Sequence, residues 1–245
     1  MSTTTRISDH RAAKMETVSD ASTAAGAASS DDRPAGSGLR AYGGVDGDAR
    51  IARRRAALID AALDVLGSDD SPPDPVTVRG ICRATGLNPR YFYESFDGAD
   101  ALVAATFDEV IAELSRSALA AFEAADEVGD RVAGAVGAMV DVIDADRRKG
   151  RVLFSPALLS PVVAAKRAES TDLFASLTVR TASGVLDAER SPEAAAVAQF
   201  QVGGLGRLLA AWLDGQVPLD RDAVVTLSVR LLLSQVDAVT RRVTP

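Results

Sequence analysis

Cysteine and histidine are almost missing from this chain: its 245 residues include one of each, Cys82 and His10. A lone cysteine has no partner for an intramolecular disulfide, which points to a reducing compartment. One thiol and one imidazole also exclude the Cys- and His-rich ligand sets of a zinc site. Ser-His and Cys-His nucleophile pairs are excluded with them, because the only imidazole lies in a polar N-terminal stretch. No GxGxxG or Walker-type glycine loop is present to hold a nucleotide. "GAVGAM" and "VGGLGRLL" place their glycines inside helical patterns, where they suit close packing. The expectation is a chain with no catalytic residue, no metal and no cofactor, and so not an enzyme.

Long apolar runs are missing as well, and none reaches the roughly 20 residues that span a bilayer. The opening MSTTTRISDHRAAKM lacks the apolar middle of a signal peptide. A soluble, cytoplasmic protein without a membrane partner is therefore expected. Lysine is rare (Lys14, Lys149 and Lys166), so positive charge is carried by arginine. A net charge of −7 disfavours indiscriminate nucleic-acid binding but leaves room for a local basic patch. Aromatic residues are few: one Trp, three Tyr and seven Phe. Strand formers other than Val are thin, whereas Ala, the strongest helix former, is abundant. The fold class expected is all-α.

Along the chain, residues 1–48 are rich in Ser, Thr, Ala, Gly and Asp and poor in large apolar side chains. Such a stretch cannot bury enough surface to offset its ordering entropy, so a disordered tail is expected. From Ala49, in "ARIARRRAALIDAALDVLG", Ile51, Leu58, Ile59, Ala62, Val65 and Leu66 recur at helical spacing. After the proline-rich break "SDDSPPDP", a short helix is predicted from about Thr77 to Thr85. Gly86 then stops it, Asn88 caps the next helix and Pro89 opens it. Two short helices joined by a tight glycine turn make a helix-turn-helix, held by Ile81, Leu87 and Phe92.

Four of the scarce aromatics crowd into residues 91–96 of the second short helix. On a wheel of 100° per residue Phe92 and Phe96 share one face. Arg90 and Glu94 lie opposite, flanked by Tyr91 and Tyr93. The phenylalanines anchor, and the arginine and tyrosines look outward.

Beyond Gly98 the pattern is of longer helices. "RRKG" is read as a break, "SPALLS" as short helix and turns, and the stretch from Pro161 as one long helix. Two final helices start at Ser191-Pro192 and after Asp220. They are more apolar than one amphipathic face needs. Large exposed apolar patches are uncommon on soluble monomers, so this hairpin is expected to pair with a second copy in a four-helix bundle. The candidate interface is Ala198, Val202, Leu205, Leu209, Trp212, Leu227 and Leu231.

This layout resembles the TetR family of bacterial transcription regulators over about residues 50–242. The resemblance rests on Ala61-Ala62-Leu63 in the first helix, Thr77-Val78-Arg79 opening the second, Gly86, and Phe92-Tyr93 with Phe96. It implies a three-helix DNA-binding domain over residues 49–97 and a helical effector-binding and dimerisation domain over 98–245. It further implies that Thr77 and Arg79 contact phosphates or a groove edge. Asn88, Arg90 and Tyr91 would then face bases, Tyr93 would bond a phosphate, and Ser95 would stand at a phosphate-contacting position. Arg53 and Arg54, with their neighbours Arg50 and Arg55, are candidates for the DNA backbone or minor groove. Phosphate contacts set register and arginine forks read guanine O6 and N7, in keeping with these roles.

Ala99 replaces the phosphate-binding Lys common in that family, and Glu94 on the outward face either repels phosphate or accepts from a cytosine amino group. Modest, strongly salt-dependent binding per half-site is expected. The larger part is expected to hold an effector pocket lined by Phe107, Met139, Phe154, Leu158, Phe174 and Phe200, hence a mainly hydrophobic effector. The function implied is a homodimeric, ligand-responsive repressor of a double-stranded DNA operator. The alternative is a helical ligand-binding or protein-interaction module that binds DNA poorly.

Overall fold

Alanine-rich sequence with well-placed caps yields helix throughout. A computed structural model describes residues 43–68, 75–182 and 191–240, which form nine α-helices and no strand. These are α1 (Gly43–Leu66), α2 (Val78–Thr85), α3 (Pro89–Tyr93), α4 (Ala99–Glu123), α5 (Val128–Ala145), α6 (Arg147–Phe154), α7 (Pro161–Ala182), α8 (Pro192–Leu213) and α9 (Arg221–Thr240). The tail expected over 1–48 lies outside the described residues up to residue 42, and so does most of the proline-rich break. The first helix starts at Gly43, ahead of the Ala49 start that the apolar periodicity suggests.

The short elements are set by their caps. Thr77 caps α2 by accepting from the Gly80 amide at 3.1 Å, and α2 ends at Gly86, whose φ of 69° is the left-handed conformation that suits glycine. Asn88 caps α3 by accepting from the Arg90 amide at 2.9 Å, with Pro89 in the first turn. At the far end of α5 the sequence reading needs correcting, because "RRKG" is the first turn of α6 rather than a break. Asp146 alone makes the bend. Its backbone leaves the helical region, and its side chain accepts from the Arg148 amide at 3.1 Å to start the next helix.

Two apolar clusters form. The smaller joins Leu58, Ala61 and Ala62 of α1, Ile81 and Cys82 of α2, Phe92 of α3, Phe96, and Leu102 of α4. The larger gathers Leu63 and Leu66 of α1, Val103, Phe107, Val110 and Leu114 of α4, and inward positions of α5 to α9. Helices α1 and α4 therefore contribute to both. Burial pushes the Cys82 thiol above its ordinary range, which suits a packing residue and not a nucleophile.

Polar clamps tie the helices across these clusters. Arg148 of α6 donates to Asp60 at 3.3 Å and to Asp64, both on α1, and to Asp146 at 2.7 Å. Next to it, Arg151 donates to the Gly67 carbonyl at 3.1 Å. A Cβ on Gly67 would stand 2.6 Å from the Arg148 Cα, so only glycine lets α6 approach the end of α1 this closely. Both described lysines reach α4: Lys149 pairs with Glu113 at 2.7 Å and Lys166 with Asp108 at 3.0 Å. Arg167 of α7 donates to the carbonyls of Leu153 and Ser155, each at 2.7 Å, where α6 ends. A guanidinium there satisfies carbonyls that the helix leaves unpaired.

Candidate nucleic-acid interface

Helix α3 is five residues long, too short to hold its shape unaided, so its orientation comes from what it packs on. Phe92 is fully buried and Phe96 nearly so, with ring centroids 5.9 Å apart. Their burial fixes the helix face-down, and the residues between and before them are left outside. Tyr91 is 39% exposed and Tyr93 59%, while the Arg90 side chain is 83% exposed. The wheel-based sorting of anchors from outward residues agrees with these positions.

Thr77, Arg79, Asn88, Arg90, Tyr91 and Tyr93 are all exposed around this helix pair. Two of them already serve as helix caps. Thr77 and Asn88 use a side-chain oxygen as a helix cap, leaving the Thr77 hydroxyl hydrogen and the Asn88 amide hydrogens to donate outward. Arg53 is exposed and donates to the Ala49 carbonyl at 3.3 Å.

Arg54 and Ser95 sit differently from the expectation. Arg54 is turned onto α3: its guanidinium stacks on the Tyr91 ring at 4.4 Å and donates to Glu94 at 3.3 Å. Stacking turns it toward α3, and not outward to the DNA backbone or minor groove for which it was a candidate. The Ser95 hydroxyl is buried without a partner, so it does not reach a surface phosphate. Arg55, another candidate for the DNA backbone or minor groove, lies over Phe96 at 4.4 Å and donates to the Ser95 carbonyl at 3.3 Å. Adjacent arginines thus fasten α1 onto α3 from a distance of about forty residues, a contact with no local signature in the sequence.

No protein-family model matches the chain. Among curated proteins it is similar to the HTH-type transcriptional regulator BetI of Brucella canis, with 35% identity over 83 residues, 34% of this chain and 41% of that protein. The match thus spans about two-fifths of the length of that relative. Among solved structures, a TetR-family transcriptional regulator from Streptomyces coelicolor superposes with a TM-score of 0.59 at 22% identity, covering 75% of this chain and 80% of that one. The transcriptional regulator FadR of Bacillus subtilis, crystallised with stearoyl-CoA, superposes with a TM-score of 0.57 at 14% identity, covering 73% and 97% of the two chains. The chain has the fold of TetR-family transcriptional regulators.

Within this TetR fold the expected interface residues divide. Ala198, Leu209 and Trp212 are buried inside their own chain, and the Trp212 indole donates to the Leu219 carbonyl at 2.9 Å. These three belong to or abut the internal core, a correction to their reading as partner contacts. Val202, Leu205 and Leu227 are half-buried, and Leu231 is exposed. The outward stripe of α8 is instead Ala196, Phe200, Gly203, Gly204 and Arg207, at helical spacing. Of the five α8 residues expected at the interface, burial within the chain claims three: Ala198, Leu209 and Trp212.

The expected effector lining is also divided. Phe107 and Leu158 are in the larger core, with Met139, Phe154 and Phe174 packed half-buried against it. Phe200 is 69% exposed and lines nothing inside the chain. A cavity of about 250 Å³ opens where α6 and α8 meet the end of α1, lined by Ser68, Arg151, Phe154, Ser155 and Asp214 among others. Of the expected lining residues it contains Phe154, and its walls are more polar than the sequence suggested.

Proposed function

We propose that this protein is a sequence-specific DNA-binding transcriptional regulator, a homodimeric repressor released from a palindromic operator by a small, mainly apolar effector. One observation carries the reading. Two buried phenylalanines set a short helix so that Arg90, Tyr91 and Tyr93 project together, beside Thr77, Arg79 and Asn88. Guanidinium and amide groups on such a face suit base edges, and hydroxyls suit phosphates. Residues 49–97 would bind DNA, and residues 98–245 would bind effector and partner, in the cytoplasm.

Dimerisation would use the outward stripe of α8 with Leu231 of α9. Gly203 and Gly204 face open space, so a second helix could approach there closely. Two recognition helices would then enter successive major grooves about one helical turn apart. The half-buried Met139, Phe154 and Phe174 support an apolar effector. It would act by favouring a spacing of the two DNA-binding parts that the operator does not fit.

A gel-shift with the DNA upstream of the protein's own gene tests this. A shift at low salt, lost on Arg90→Ala and weakened on Arg79→Ala, is expected. No shift by the unmodified protein at low salt would overturn the reading in favour of a helical ligand-binding module.

A further inference from the structure

Glu94 lies one turn beyond Arg90 and accepts from two arginines that belong to different helices. Arg90 Nε reaches its Oε1 at 3.3 Å, and Arg54 Nη2 reaches its Oε2 at 3.3 Å. Arg54 is itself flattened on the Tyr91 ring at 4.4 Å. The three side chains are graded in exposure: 25% for Arg54, 36% for Glu94 and 83% for Arg90. So Glu94 is anchored from beneath by α1 and holds Arg90 from beneath in turn.

Stability does not explain this arrangement, because exposed i,i+4 ion pairs contribute little. Its geometry suits recognition. Only Nε of Arg90 is used; Nη1 and Nη2 make no hydrogen bond among the described residues. Guanine offers O6 and N7 side by side in the major groove, two acceptors for a pair of guanidinium N–H groups. An exposed arginine surrenders much rotamer freedom on docking, and a carboxylate already gripping Nε reduces that loss. The same carboxylate cancels one positive charge of the pair, which weakens sequence-blind attraction to phosphate.

Building on the DNA-binding reading above, we propose that Glu94 is a positioning residue that sets base specificity. It aims the terminal nitrogens of Arg90 at a guanine, and Arg54, stacked on Tyr91, holds Glu94 in place. Tyr91 is then a platform as much as a contact.

Selection of duplexes from a random-sequence library by the full-length protein, followed by affinity measurements on the enriched duplex and its single-base variants, tests the proposal. The unmodified protein should enrich a half-site with a guanine whose replacement by adenine costs about tenfold or more, and Arg90→Ala should erase that preference. Glu94→Gln should lower the same preference roughly fivefold or more, with binding to unselected duplex undiminished at low salt. In Arg90→Ala, adding Glu94→Gln should cause no further loss at that base, as for two residues acting through one contact. Arg54→Gln, which leaves α3 untouched, should reproduce a smaller loss at the same guanine and serves if Glu94→Gln does not fold. If no duplex is enriched, the DNA-binding function fails and this inference with it. If Arg90 proves to read a guanine while Glu94→Gln keeps the preference, the inference alone fails. It fails equally if Glu94→Gln abolishes preference for a cytosine at another position, since Glu94 would then be reading a base itself.

Discussion

Arg148 donates to the carboxylate of Asp64, joining the start of α6 to the last turns of α1. The same guanidinium serves Asp60 and Asp146, so one side chain organises three carboxylates between α1 and α6. Replacing it by methionine keeps most of the stem's packing but leaves the partly buried Asp146 without its partner. With the side chain one-third exposed, solvent screens part of the effect. Arg148→Met should cost about 1–2 kcal/mol, read as a lower urea midpoint with an unchanged slope.

Acid should undo part of this joint. The Arg148 guanidinium beside Asp146 holds its carboxyl below the usual carboxylate range. A group whose folded value is depressed adds stability above its ordinary unfolded value, near 4, and that contribution disappears as pH falls through the folded value. Asp146→Asn should therefore be less stable than the unmodified protein at pH 7, with the gap closing at pH 3 and below. Urea midpoints across that range would show it, and a gap that stays constant would contradict it.

Neighbours on α3 should behave oppositely. Phe92→Ala empties a fully buried site and should cost about 3–5 kcal/mol, seen in thermal melts followed by circular dichroism. Tyr93→Phe removes only an exposed hydroxyl and should change stability by no more than about 0.5 kcal/mol. Its effect should appear in DNA binding, as an equal weakening on every duplex, because a phosphate contact carries no sequence information.

Phe200 offers a direct test of self-association. It projects from the outward stripe of α8 without serving the internal core, so Phe200→Asp should leave the helical circular dichroism of the folded chain at 25 °C intact. Sedimentation should shift from dimer to monomer at micromolar concentration. A dimer that survives the substitution would place the contact elsewhere.

What the sequence makes legible follows the range of the interactions involved. Caps are local, so Thr77, Gly86, Asn88, Pro89 and Ser191 announce their helices, and period alone separates Phe92 and Phe96 from Tyr91 and Tyr93. Asp146 shows the limit. Three cationic residues and a glycine after it look like an interruption, yet one side-chain cap restarts the helix at once. Contacts between distant segments leave no such mark. Nothing near Arg54 foretells that it will stack on Tyr91, and nothing near Trp212 says that its indole will close on Leu219 and not on a partner.

The first helix serves both apolar clusters, through Leu58 and Ala62 on one side and Leu63 and Leu66 on the other. Melting either cluster strips α1 of half its support, so heat should dissolve both in a single calorimetric event. A fragment ending near residue 97 would carry Leu63 and Leu66 bare to water. The half proposed to bind DNA is thus not a detachable module, and a disturbance in the larger cluster is felt along a rod common to both.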